Sequence, residues 1–296
     1  MAVTSTEQQL TASAPIDLEP PLVDSHFHIF PEGLPYTATA HSRPDYGLTV
    51  EQQLATMDAY GVHFGVVAAM SLTGFYNDYV VESLRANRRL RGTVYVPPTI
   101  SRPELREMDE AGVVGIRLFR SAGSFGTPED IEAHEYQVLL RRVRDLDWHV
   151  HVVGVPEHFG PTLDVLNAAG VKIVVDHFGH VDLGLLEHSP HYDAILRSVD
   201  LGRTWIKISG GFRLTEARAP RTARDYAEAR EKERHLDTFL LDACGTDRLV
   251  WGSDAPFVGH EGTVTYKDRI DSYLYAIPSD ATRRAIDRTA LKLYFS

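Results

Sequence analysis

The sequence of 296 residues predicts a single (β/α)8 TIM barrel. Three observations predict it. Eight short β-branched runs recur along the chain, an amphipathic stretch of helical length follows most of them, and six runs end in a cluster of polar side chains. Short strands alternating with helices argue for βαβ units in a parallel sheet. Eight such units without an internal break argue for closure into a barrel, which takes roughly 250 residues as one domain.

The strands are read at Leu22–His28, Phe64–Ser71, Gly92–Val96, Val114–Phe119, His149–Val153, Lys172–His177, Trp205–Ile208 and Leu249–Trp251. Helical patterns lie between them at Val50–Tyr60, Asn77–Asn87, Pro103–Ala111, Pro128–Asp145, Pro161–Ala169 and Ala223–Ala243. Gly112 and Gly170 stand just before strands, where glycine supplies the left-handed turn that ends a helix. Residues 1–18 lack a basic start and an apolar stretch, so they read as a flexible tail rather than a secretory signal, with the barrel domain over 19–296.

Composition narrows the function classes. Lys and Arg number 30 against 41 Asp and Glu, a formal net charge of −11. That balance disfavours nucleic acid, whose phosphates require a basic face. It leaves room for a small anionic substrate, which responds to local arginines. No apolar run approaches the ~18 residues of a membrane span. The single cysteine, Cys244, excludes an internal disulfide and a multi-thiolate metal site, and agrees with a cytoplasmic enzyme.

In a parallel barrel the groups that do chemistry sit at the C-terminal ends of the strands. There the sequence places HFH, RLFR, HVHVV, DHFGH, KISGGFR and GSDAPF. His26 and His28 stand two apart, so their side chains leave one face of the first strand. That face is the interior if Val23, Phe27 and Ile29 pack outward. Two inward imidazoles can bind one cation or polarise one substrate oxygen. Asp254 follows the last strand in a Pro-containing turn, placed to act as general base, metal ligand or both. His177 shares a face with Ile173 and Val175, and enters the site if those fill the barrel, where it would polarise a carbonyl. His151 shares a face with Val153 but lies deeper, and is either a ligand or a core histidine.

Taken together, VDSHFHIF, GVVGIRLF, WHVHVV, VVDHFGH, WIKISGGFRL and DRLVWGSDAP resemble the amidohydrolase-2 branch of the amidohydrolase superfamily. RGTVYV, GIR and DHFG are similar to the lactone hydrolases of that branch, the relatives of 2-pyrone-4,6-dicarboxylate lactonase. The likeness runs from about Leu22 to the C-terminus. It implies that His26 and His28 are the first-strand pair, His177 the sixth-strand histidine and Asp254 the base that activates water. It also implies that Arg117 and Arg213 hold a substrate carboxylate, which bidentate guanidinium pairing explains physically, with Arg120 as a further contact. Binuclear members carry a bridging lysine where Arg117 stands, and Val153 replaces a mouth histidine, so the expectation is zero or one divalent cation, zinc or manganese. Its ligands would come from His26, His28, Asp254 and His151.

The function implied is hydrolysis of a carboxylate-bearing cyclic ester. Two alternatives stay open on the sequence: a metal-dependent decarboxylase or hydratase acting on an aromatic or unsaturated acid, and a non-catalytic barrel that binds a ligand. The expected partner is a small acidic lactone or related carboxylic acid, and a homo-oligomer is compatible with the sequence.

Overall fold

The computed structural model of the chain describes residues 19–40, 42–120, 131–179, 189–215 and 222–296. The expected tail over 1–18 lies outside the described residues. Eight strands form one sheet: β1 (Val23–Phe27), β2 (Phe64–Ala68), β3 (Leu90–Val94), β4 (Val113–Arg120), β5 (His149–Gly154), β6 (Lys172–Val175), β7 (Thr204–Ser209) and β8 (Leu249–Gly252). Each pairs in parallel with the next in chain order. The helices are α1 (Val50–Ala59), α2 (Asp78–Ala86), α3 (Arg102–Ala111), α4 (His134–Asp145), α5 (Pro156–Ala169), α6 (Pro190–Asp200), α7 (Ala223–Cys244), α8 (Tyr266–Ala276) and α9 (Asp280–Tyr294). No helix among the described residues is long and apolar enough to cross a membrane.

Local sequence sets the helix ends. Thr49, Ser101, Thr222 and Thr265 close capping boxes with Gln52, Glu104, Asp225 and Asp268, each satisfying two backbone N–H groups at a helix start. Gly112 and Gly170 adopt the expected left-handed C-caps of α3 and α5. The described part of α4 begins at His134, and the expected start at Pro128 lies outside the described residues. One helix start differs from the expectation by more than a residue. α5 begins at Pro156 and runs through Pro161, which removes one helical hydrogen bond without ending the helix.

Barrel closure is made by the backbone beside β8 and β1. Asp254 N–H donates to His26 O, and His28 N–H donates to Ala255 O, both at 2.8 Å. The buried Asp24 carboxylate completes this seam. It accepts from the Ser253 N–H at 2.9 Å, the His26 N–H at 3.1 Å and the Tyr266 hydroxyl at 3.0 Å. Gly252 is required by the same close approach, since a side-chain carbon there would lie 2.6 Å from His26 Cβ.

An inner cluster unites Val23, Val66, Val174 and Val250 with Ala290, Leu293 and Tyr294 of α9. Strands from opposite sides of a barrel meet only through its interior, so α9 seals the floor. Val23 therefore points inward, contrary to expectation, while Phe27 and Ile29 join the outer core as expected. A register irregularity between Asp24 and Phe27 reconciles the two by resetting the alternation.

Burial pushes the Asp24 carboxyl up to about 6, against the hydrogen bonds it accepts. A folded-state value above the unfolded one gives stability that is complete below the unfolded value and lost as pH rises through about 6. Wild type should therefore gain about 1 kcal/mol over Asp24→Asn on going from about pH 8 to about pH 5. Urea unfolding across that range measures it, and a difference independent of pH would show that Asp24 does not titrate there.

Candidate active site

Above the apolar floor the interior turns polar. Lys207, on the inward face of β7 with Trp205 and Ser209, is fully buried. Its ammonium lies 2.8 Å from Asp176 Oδ1 and donates to His26 Nδ1 at 3.1 Å and His151 Nδ1 at 3.2 Å. Arg117 Nη2 donates to Asp176 Oδ2 at 3.0 Å, while its Nη1 donates to Ala69 O at 2.7 Å. Burial pushes the Asp176 carboxyl up, but Lys207 and His26 outweigh it and hold it well below the usual range. Burial and the Lys207 charge push His151 down to about 3, so its ring is neutral.

At the mouth, Asp254 Oδ1 faces three imidazole nitrogens. His26 Nε2 and His28 Nε2 lie 3.6 Å away and His177 Nε2 3.9 Å away. Arg213 Nε donates to the other oxygen at 2.8 Å. Burial pushes the Asp254 carboxyl up, but Arg213 and His177 together outweigh it and keep it ionised well below the usual range. His28 Nδ1 lies 2.6 Å from Ala68 O. A carbonyl only accepts, so His28 carries hydrogen at Nδ1, which in the neutral form of the ring leaves the lone pair at Nε2. His177 Nδ1 is hydrogen-bonded to Ser209 Oγ at 2.9 Å.

Backbone conformation aims two of these groups. β6 ends at Val175, and Ile173 and Val175 belong to the outer core while Val174 faces inward. Asp176, not His177, thus continues the inward face of β6. His177 reaches the mouth because it and Phe178 turn at φ 52° and 57°. Asp254 sits at φ 64°. Each left-handed residue costs about 1–3 kcal/mol and persists only where its surroundings enforce it. Gly210, at φ 67°, passes so close that a side-chain carbon there would lie 3.0 Å from His177 Nδ1.

These groups open onto a cavity of about 430 Å³ whose walls include Met70, Leu72, Phe119, Val153, Arg117 and Arg213. A larger hollow of about 570 Å³ lies on the outer face beside α7 and α8 and contains none of the histidines.

His26, His177 and Asp254 bring ligand atoms within 4.8 Å of one another, compact enough for one cation. The chemistry of the set is less suitable. An ion would need the lone pair of His26 Nε2, but an ammonium only donates, so contact with Lys207 takes the lone pair of Nδ1 and leaves the hydrogen of the neutral ring on Nε2. The residues present do not fit a resident ion at His26.

The family model described as amidohydrolase matches residues 23–295. The chain belongs to the amidohydrolase family. This amidohydrolase is 27% identical over 261 residues to the 4-sulfomuconolactone hydrolase of Rhizobium radiobacter, covering 84% of this chain and 80% of that one. It is 27% identical over 243 residues to the 2-pyrone-4,6-dicarboxylate hydrolase of Comamonas testosteroni, covering 79% and 76%. Its fold is similar, at a TM-score of 0.82 and 26% identity, to the crystal structure of a probable 2-pyrone-4,6-dicarboxylic acid hydrolase from Acinetobacter baumannii with citric acid bound, covering 93% and 99%. The resemblance read from the sequence motifs therefore holds.

The structure brings together His26, His28, His177, Asp254 and Arg213, and places Arg117 in the cavity wall. It does not bring His151 to the others. That ring lies deeper, against Lys207 and 5.9 Å from the Tyr294 ring, so it is a core histidine of this amidohydrolase. Arg120 ends β4, and its side chain lies outside the described residues. Sequence reasoning missed Lys207 and Asp176. The signal for Lys207 was a charge alternating with Ile206 and Ile208 in an otherwise buried strand.

Removing one partner of a buried ion pair costs roughly 3–5 kcal/mol, because the remaining charge is left uncompensated. Asp176→Asn, which strands both Lys207 and Arg117, should lower the unfolding free energy by about that much. Chemical denaturation checks it, and a loss under about 1 kcal/mol would show that the network does not hold the barrel centre.

Proposed function

We propose that this amidohydrolase opens a carboxylate-bearing cyclic ester by attack of water at the barrel mouth. The observation that carries the reading is an ionised carboxylate, Asp254, ringed by three imidazoles at 3.6–3.9 Å beside a cavity that two arginines also line. The lactone hydrolases among its relatives support the same reaction class, and the citric acid bound in the Acinetobacter baumannii structure supports an acidic ligand.

Asp254 takes a proton from water as the water oxygen bonds to the lactone carbonyl carbon. His28, with its lone pair at Nε2, accepts the second hydrogen bond of that water and orients it. The carbonyl oxygen gains charge, and His26 and His177 donate to it. The ring C–O bond then breaks, and the leaving oxygen takes the proton held by Asp254. Water has been added across one ester bond, giving a hydroxy acid. Low basicity limits a carboxylate held by Arg213, so placement beside the carbonyl carries much of the rate.

Arg213 contacts Asp254 through Nε and is more than a third exposed, so its outer nitrogens suit a substrate carboxylate. Arg117 adds positive charge to the cavity wall while it neutralises Asp176. Arg120 is proposed as a further contact at the same mouth. Any divalent ion, zinc or manganese, would number at most one per chain and would not be held by His26, and no step above uses it.

Asp254→Asn should lower turnover by about 10²- to 10⁴-fold with unfolding unchanged, since an amide accepts no proton. Steady-state hydrolysis of acidic lactones measures it, and retention of more than about a tenth of the rate would rule out Asp254 as base.

Arg213→Met should weaken binding of an anionic lactone by about 1.5–3 kcal/mol and that of a neutral one much less. Arg117→Met should weaken both, because it also releases Asp176. Comparing KM on matched charged and neutral lactones tests this, and equal losses for Arg213→Met would make that residue structural.

A further inference from the structure

No step of the hydrolysis uses Lys207, yet its buried ammonium touches His26 of the site together with His151 and Asp176 beneath it. We propose that Lys207 is a positioning residue that holds His26 as an Nε2–H donor toward the substrate oxygen and thereby prevents His26, His177 and Asp254 from closing on a divalent cation.

The hydrogen position follows from what each group can do. Lysine offers three donors and no acceptor. A neutral imidazole that accepts at Nδ1 carries its hydrogen at Nε2. Lys207 imposes this on His26 at 3.1 Å and on His151 at 3.2 Å; burial pushes the ammonium down, and Asp176 at 2.8 Å opposes that by favouring its charged form. His26 Nε2 is buried without a hydrogen-bond partner among the described residues, and Asp254 Oδ1 at 3.6 Å lies beyond hydrogen-bond reach. A buried donor without an acceptor is costly, and an incoming carbonyl oxygen relieves that cost.

The same hydrogen blocks a metal. Histidines that ligate through Nε2 almost always donate their other N–H to a carboxylate, carbonyl or water. Asp176 is the carboxylate near His26 Nδ1, at 3.6 Å and beyond hydrogen-bond reach, and Lys207 beside them is in contact with both. A cationic donor thus stands where a metal-binding histidine needs an acceptor. The catalytic consequence rests on the lactone-hydrolase reading; the hydrogen position and the exclusion of metal stand apart from it.

The test is nitrogen-15 NMR of histidine-labelled, chelator-treated wild-type protein at a pH where free histidine is neutral, with His26 assigned by its loss in His26→Asn. The expected spectrum has a bare Nδ1 and a protonated Nε2 on His26, unchanged by added zinc chloride. The reverse assignment, or zinc bound at His26 Nε2 in wild type, overturns the proposal. Lys207→Met should raise zinc affinity in equilibrium dialysis by about 10–100-fold, the range in which the partners of ligating histidines act. Lys207→Gln, whose amide can donate to Nδ1, should restore the wild-type spectrum and weak zinc binding. Equal zinc affinity in wild type and a folded Lys207→Met overturns the exclusion of metal. If Lys207→Met does not fold, the wild-type spectrum and its response to zinc decide alone. If no lactone is hydrolysed, the functional reading fails while the spectrum still decides the position of the hydrogen.

Discussion

Closure of the sheet between β8 and β1 is the constraint on which the site depends. A parallel strand pair is held by evenly spaced, slanted hydrogen bonds, and this seam has few of them. Asp24 makes up the deficit by accepting from the backbone of both sides and from Tyr266 of α8. Its burial has a cost, visible in a carboxyl pushed up to about 6. In return the seam brings His26 and His28, at one end of the sequence, against Asp254 near the other. Gly252 allows the approach because any side chain there would strike His26.

The interior is layered from apolar to charged to open. Valines and the end of α9 fill the floor, the Lys207–Asp176–Arg117 network fills the middle, and the histidines with Asp254 face the cavity. Buried ion pairs are weak evidence for stability, since desolvation offsets much of their attraction. Their value here is directional. Lysine and arginine fix which oxygens of Asp176 are occupied, and lysine fixes which nitrogen of His26 carries hydrogen. β2 contributes in the same way, because the carbonyls at its end orient His28 through Ala68 and Arg117 through Ala69.

The reacting groups are also where the backbone is least relaxed. His177, Phe178 and Asp254 all adopt positive φ, and the strands on either side over-determine them. Aspartate and histidine tolerate this region better than branched residues do. The turn after β6 thus delivers a side chain that strand alternation alone would have sent outward.

By itself the sequence determined the alternation of eight strands with helices, the cluster of polar groups at the strand ends, and the HxH and GSDAP elements that mark the mouth. Those are local patterns, and alternation along one strand or a cap at one helix records them directly. Tertiary structure decided what no single strand records. The register irregularity in β1 reset the faces on either side of it, so Val23 and His26 both point inward. In β6 the inward position belonged to Val174 and Asp176, and His177 arrived through its turn. Lys207 gained meaning only when barrel closure set β7 between Asp176 on one side and His26 on the other. Charge compensation and the tautomer of an imidazole are properties of neighbours across the sheet, which lie far apart in the chain and meet only in the closed barrel.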